Sequence, residues 1–259
     1  MALRGASASC LIVYRVSALA HDRAQQAREI AGYFASLPTV EGVCLFGSLA
    51  RGEPDEWSDI DLLVIGRDDE LRPTVLLGLL PERLSNQRLS LVCYSTAELD
   101  DLFNAGSSFV DHIRHEGQVL YDPHGVLDRV LHDRFAPQLN VAEELGAELE
   151  RLNVYDDLSL FKGNFSFCLA QIYAIGKAVV ILGLLAEGQR EYSRERAFAA
   201  FRERHPEVGV EVDTVAGLRP FYRRVTRREP EPLPFPYRGA DAEVERSIDA
   251  VRTIASVIQ

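Results

Sequence analysis

The sequence predicts an α/β domain followed by an all-α helical bundle. Two observations carry this. Short apolar runs alternate with helical patterns up to about residue 122, the signature of strands interleaved with helices. From Val126 onward only helical periodicity remains, broken by the proline-rich stretch Glu229–Gly239, EPEPLPFPYRG. The expected organisation is an N-terminal extension over 1–20, a first domain over 21–125 and a helical domain over 126–259.

The elements follow in order. His21–Leu37 reads as a helix with Ala24, Ile30, Ala31 and Phe34 near one face, closed by Pro38. Gly42–Phe46 is a short apolar run stopped by Gly47, a buried strand. Asp59–Gly66, DIDLLVIG, is a second strand, and Arg88–Ser95, RLSLVCYS, a third. Between them Glu70–Leu84 reads as helical, with Pro73 tolerable in a first turn. Thr96–Glu116 reads as one helix, with Glu98, Asp100 and Asp101 favouring its N-terminal dipole and Gly117 stopping it. Gln118–Tyr121 is a short fourth strand. In the second half, helices are expected over Val141–Leu160, Phe165–Leu185, Arg194–Arg204, Thr214–Arg227 and Asp241–Ile258.

Composition narrows the chemistry. With 47% hydrophobic and 26% charged residues, the 259-residue chain is neither disordered nor fibrous. Its net charge of −11 repels polyanions and argues against nucleic acid as partner. Residues 1–138 hold 12 basic and 20 acidic side chains, so the acidity sits mainly there and favours a cationic or neutral partner. Cys10, Cys44, Cys93 and Cys168 lie far apart in apolar runs, as buried reduced thiols do, and a cytoplasmic location is expected. No uninterrupted apolar run reaches the length of a membrane span: Gly176, Lys177 and Gly183 break the longest. No membrane association is expected.

The informative segment is Leu45–Gly66, LFGSLARGEPDEWSDIDLLVIG. Gly47-Ser48 follows a strand and opens a turn of helix. Such a turn aims backbone N–H groups at an anion, and the Ser48 hydroxyl adds a donor. Asp59 and Asp61 are two apart on a strand, so both carboxylates project from one side. Paired carboxylates repel unless a cation sits between them, and Mg²⁺ completed by nucleotide phosphates suits that donor set.

This pattern, G-S-x10-D-x-D, resembles the nucleotidyltransferase fold of the DNA polymerase β superfamily, in its minimal and antibiotic-modifying branches. The stretch His112–Asp122, HIRHEGQVLYD, also looks like the segment that closes this domain in minimal members. The resemblance covers roughly residues 25–122. It implies an α+β nucleotidyltransferase domain with a mixed sheet, in front of a helical domain. It also implies Mg²⁺-dependent transfer of a nucleoside monophosphate, AMP from ATP being the expected case, to a hydroxyl of a small molecule or protein. Asp59 and Asp61 would hold metal, Gly47 and Ser48 the phosphates. Arg51, Lys162 and Lys177 join the nucleotide-binding candidates. The two lysines stand out against 26 arginines, although codon bias alone also leaves survivors.

One position departs from the family. A third carboxylate usually stands on the next long strand, and the aligned residue is Ser90. Some antibiotic-modifying relatives take the base from the helical domain instead. Glu143 and Glu144 are the leading candidates here, with Glu148, Asp156 and Asp157 behind them. The alternative is a catalytically weakened binding module or antitoxin-like regulator. His112 and His115, three apart on a helix, read either as half of a metal site or as a helix end complementing its dipole. Arg219, Arg223, Arg224, Arg227 and Arg228 form a basic cluster that meets an acidic group or balances the chain's own charge.

Overall fold

The computed structural model describes residues 8–55, 58–67, 71–85, 88–133, 138–227 and 240–258, with the side chains of 8–21, 133 and 227 left aside. The expected connector Glu229–Gly239, the helix start at Glu70 and Arg228 lie outside the described residues. Two compact units divide at Gln138/Leu139.

The first unit carries a four-stranded mixed sheet in the order β3-β2-β1-β4. The strands are β1 (Val40–Phe46), β2 (Ile60–Gly66), β3 (Leu89–Ser95) and β4 (Gln118–Tyr121). β1 is antiparallel to both β2 and β4, whereas β2 and β3 run parallel. Around it lie α1 (Ala8–Ala35), α2 (Gly47–Ala50), α3 (Pro73–Leu79), α4 (Glu82–Ser85), α5 (Thr96–Asn104), α6 (Ser108–Glu116) and α7 (Val126–Asp128), the last running on into a π-turn over Arg129–Asp133.

Helices cover both sheet faces, which is why the central strands are apolar on both sides. On one face Ala27, Ile30 and Phe34 of α1 and Leu76 of α3 are buried against Val43, Leu45, Leu62 and Val64. On the other, Leu99, Phe103, Val110 and Ile113 are buried against Cys44, Phe46, Leu63 and Ile65. Val126, Leu127, Val130 and Leu131 belong to that second cluster. The expected boundary at 125/126 therefore falls inside the first unit's own core.

Three helices of the first unit differ from the reading of the sequence. Helix α1 begins at Ala8 rather than His21, with no Pro or Gly between Ala6 and Ala31 to stop it. The span expected as one helix over 70–84 is two, because Pro81 holds Leu80 at an extended ψ of 135°. The long helix expected over 96–116 is also two. Gly106 takes φ +71°, and Ser107 N–H reaches back to Leu102 C=O at 3.1 Å. The Ser107 hydroxyl then caps α6 through Phe109 N–H.

The second unit contains α8 (Val141–Asn153), α9 (Phe165–Ala186), α10 (Arg194–Arg204), α11 (Gly209–Ala216), α12 (Arg219–Arg227) and α13 (Ala240–Ser256). Short 3₁₀ turns over Val154–Asp156 and Leu158–Phe161 follow α8, where one longer helix was expected. The helix expected over 214–227 is α11 and α12, separated at Gly217-Leu218.

Helix α9 is the unit's axis, with Leu169, Ile172, Tyr173, Val179, Val180 and Leu184 fully buried. By length and composition α9 can cross a membrane, and most of that stretch is buried inside the protein. The helix runs unbroken through Gly176 and Gly183, as the expected helix over Phe165–Leu185 does. A Cβ on Gly176 would lie 2.5 Å from Val215 Cγ1, and one on Gly183 2.5 Å from Phe201 Cε2. Both are notches into which α11 and α10 pack.

Candidate functional site

The site is built at the end of β1. Phe46 is extended (φ −141°, ψ −175°), and the chain turns at Gly47 with φ +75° into α2. Two constraints select glycine here. The left-handed φ penalises any side chain. Space is also absent, since a Cβ would lie 2.4 Å from Asp61 Oδ2 and 3.2 Å from Asp61 Cγ. The turn is closed by Arg51 N–H to Gly47 C=O at 3.1 Å and by Glu53 N–H to Ser48 C=O at 2.9 Å. Gly47, Leu49 and Ala50 are buried, while Ser48 is half-buried.

Asp59 and Asp61 are half-buried, alternating with buried Ile60 and Leu62, so both lie on one side of the chain entering β2. Ser58 pins that entry. Its hydroxyl donates to Asp55 Oδ1 at 2.8 Å and accepts from Asp55 N–H at 2.9 Å. Its carbonyl accepts from Arg23 of α1. Asp61 stands opposite Phe46 in the antiparallel ladder and opposite Ser90 in the parallel one. Ser90 thus occupies the flanking position next to Asp61.

Arg51 turns to Glu116 at the end of α6. Its Nη1 donates to both Glu116 oxygens, at 2.6 and 2.7 Å. Gly47 N–H donates to Glu116 Oε1 at 3.1 Å, and His112 Nε2 bonds the same oxygen. Burial pushes the Glu116 carboxyl up, but the bonds and charges of His112 and Arg51 outweigh that and hold it below the usual range. His112 also meets the Phe46 ring edge-on at 5.7 Å, whereas His115 is exposed. Among the described residues no group of three or more His, Cys, Asp or Glu side chains that could hold a metal ion includes the histidine pair. Glu116 and Ser58 were not found by reading the sequence. The only signals were the spacing of Glu116 four residues after His112, and a serine just ahead of the acidic pair.

The remaining candidates lie in the second unit. Glu143 is exposed in the first turn of α8, where Asn140 donates to it. Glu144 is half-buried one turn before Glu148. Burial pushes the Glu148 carboxyl up, and Glu144 adds to the rise while Arg151 and Lys177 oppose it. Asp156 pairs with Arg252 at 2.6 Å, and Asp157 caps a 3₁₀ turn through Ser159 N–H at 3.1 Å. Lys177 is half-buried on α9, and Lys162 is exposed with a left-handed φ of 49°. In the basic cluster, Arg219 pairs with Glu195 at 2.6 Å.

The donor set suits a hard cation. Two carboxylates supply oxygen ligands beside a turn suited to phosphate, and Mg²⁺ is held by one or two carboxylates with substrate phosphates. With only Asp59 and Asp61 offered as ligands and no larger metal-holding group among the described residues, substrate phosphates would have to complete the shell.

Comparison with curated proteins finds no match. Among solved structures, the chain is similar to a nucleotidyltransferase-like protein from Exiguobacterium sibiricum 255-15. That likeness has 18% identity and a TM-score of 0.39, over 90% of this chain and 74% of that one. A toxin–antitoxin structure with AMP-PNP is similar at 19% identity and a TM-score of 0.31, over 51% of this chain and 98% of that one. The family model for the nucleotidyltransferase domain matches residues 27–166. Because that match spans more than half the chain and contains the Gly47 turn and the Asp61 strand, the protein belongs to the nucleotidyltransferase domain family.

Proposed function

We propose that the protein transfers a nucleoside monophosphate, AMP from ATP, to a hydroxyl and releases pyrophosphate. The observation that carries this reading is the contact between turn and acid: Gly47 has no room for a Cβ because Asp61 fills that space. The turn that carries Ser48 and the carboxylate of Asp61 are thereby held side by side. The acceptor hydroxyl oxygen attacks the α-phosphorus and releases its proton to solvent, the bond from that phosphorus to the bridging oxygen breaks, and the electron pair leaves with pyrophosphate. Ser48, the half-buried residue of the turn, donates to a phosphate oxygen. Asp59 and Asp61 would hold Mg²⁺, which supplies charge neutralisation for the triphosphate and the leaving group when bound. The acceptor is cationic or neutral, in keeping with 20 acidic against 12 basic residues in 1–138.

One observation favours a second reading. Ser90 stands opposite Asp61, where the family resemblance implies a third carboxylate; on this second reading the protein binds nucleotide without transferring it, as a binding module or antitoxin-like regulator. A single screen separates the two. Pyrophosphate release is measured with Mg²⁺, each nucleoside triphosphate and a panel of hydroxyl acceptors, beside calorimetric binding of Mg-ATP. Release that disappears in Asp61→Asn supports transfer. Binding without release from any combination supports the second reading, and absence of binding overturns both.

A further inference from the structure

The stretch His112–Asp122 takes no part in the chemistry just proposed, yet two of its residues, Glu116 and Gln118, are hydrogen-bonded to the phosphate turn. Glu116 accepts from Gly47 N–H at 3.1 Å, at the start of the turn, and from Arg51 Nη1 at 2.6 and 2.7 Å, at its end. Gln118 Nε2 donates to Ala50 C=O at 2.6 Å, between those points. Gly117 lets the segment lie this close to the sheet: a Cβ there would be 2.4 Å from Ile113 C=O and 2.9 Å from Cys44 Sγ.

We propose that Glu116 is a positioning residue for nucleotide binding, clamping both ends of the Gly47–Ala50 turn; this rests on reading that turn as the phosphate site. The Glu116 side chain is only 6% exposed, so water does not replace its partners when they are lost. The residue it holds by the backbone, Gly47, is the one in contact with Asp61. Displacing Glu116 therefore moves phosphate donors and metal carboxylate relative to each other. Arg51 is engaged by Glu116, so it acts on nucleotide through the shape of the turn.

The test uses the full chain, with Glu116→Gln, Arg51→Gln and the double variant. Affinity for AMP-PNP with Mg²⁺ is measured by calorimetry, at a temperature where each variant is folded by circular dichroism. Amide exchange of the turn is followed without nucleotide. The clamp predicts that each single variant binds about tenfold more weakly. The double variant should be no weaker than Glu116→Gln alone, since the Arg51 contact is already weakened there, whereas Arg51→Gln keeps the Gly47 contact. Exchange at Gly47–Arg51 should be faster in all three. A purely structural Glu116 would lower the melting temperature and leave the folded protein's affinity unchanged, and that result overturns the proposal. Wild-type protein that binds no AMP-PNP overturns the nucleotide reading instead. The clamp then stands if exchange is faster in Glu116→Gln and falls if it is unchanged.

Discussion

Replacing Gly47 by alanine isolates the contact on which the proposed function depends, because Gly52 offers a matched control. Both residues adopt φ +75°. A left-handed alanine costs about 1–2 kcal/mol relative to glycine, so each substitution should lower the melting temperature by roughly 2–8 °C. The surroundings differ. A Cβ on Gly52 meets nothing within 4 Å, whereas one on Gly47 meets Asp61 Oδ2 at 2.4 Å and Cγ at 3.2 Å. Ordinary carbon–oxygen contact is well beyond 2.4 Å, so the carboxylate or the turn must give way by the better part of an ångström. Misplacement of about 1 Å at a reacting centre is worth about 10²-fold. Gly47→Ala should therefore lose about that much pyrophosphate release, with nucleotide affinity falling in parallel, while Gly52→Ala keeps both. Differential scanning calorimetry supplies the stability half of the comparison and a coupled pyrophosphate assay the other. Equal losses in the two variants, or full activity in Gly47→Ala, would refute the reasoning.

Four further outcomes follow from the same geometry. Gly117→Ala should lose roughly 1–3 kcal/mol in urea unfolding, from crowding alone, since Gly117 has an ordinary φ of −66° and its obstacles are Ile113 C=O and Cys44 Sγ. Within helices, Gly146→Ala, with nothing within 4 Å, should gain about 0.5–1 kcal/mol, while Gly176→Ala should lose stability because overpacking against Val215 outweighs propensity. Glu116 is held below its ordinary 4.5, so it adds stability above that pH that disappears as pH falls through its lower folded value; in acid titrations followed by circular dichroism, Glu116→Gln should flatten the profile below pH 4.5. Ser90→Asp places a carboxylate opposite Asp61 and should raise turnover about a hundredfold in the pyrophosphate assay.

Local signals made most of the first unit legible. The four strands stand within two residues of their apolar runs, because Gly, Pro and polar clusters bound each one. The Gly-Ser turn and the Asp-Ile-Asp pair were legible for the same reason: their spacing is local and follows strand geometry. Helix breaks were harder, though Ala105-Gly106-Ser107 held the needed stop and cap together. Glu116 was not legible. Its partner Gly47 is 69 residues away, and an acid in SFVDHIRHE looks like any solvated glutamate until folding buries it among Gly47, Arg51 and His112.

The two boundaries of this chain mark different things. Family similarity runs to residue 166, two residues into α9, whereas contacts divide the chain at Gln138/Leu139. A polypeptide ending at 166 would carry α8 without α9 and leave Leu145 and Leu152, buried in the second unit's core, facing water. Such a fragment invites proteolysis and self-association. One ending at 138 keeps Val126, Leu127, Val130 and Leu131 on the sheet and severs no helix of the second unit. For recombination, the exchangeable cassette is thus the piece that closes its own core, and the inherited similarity extends past it into a neighbour's.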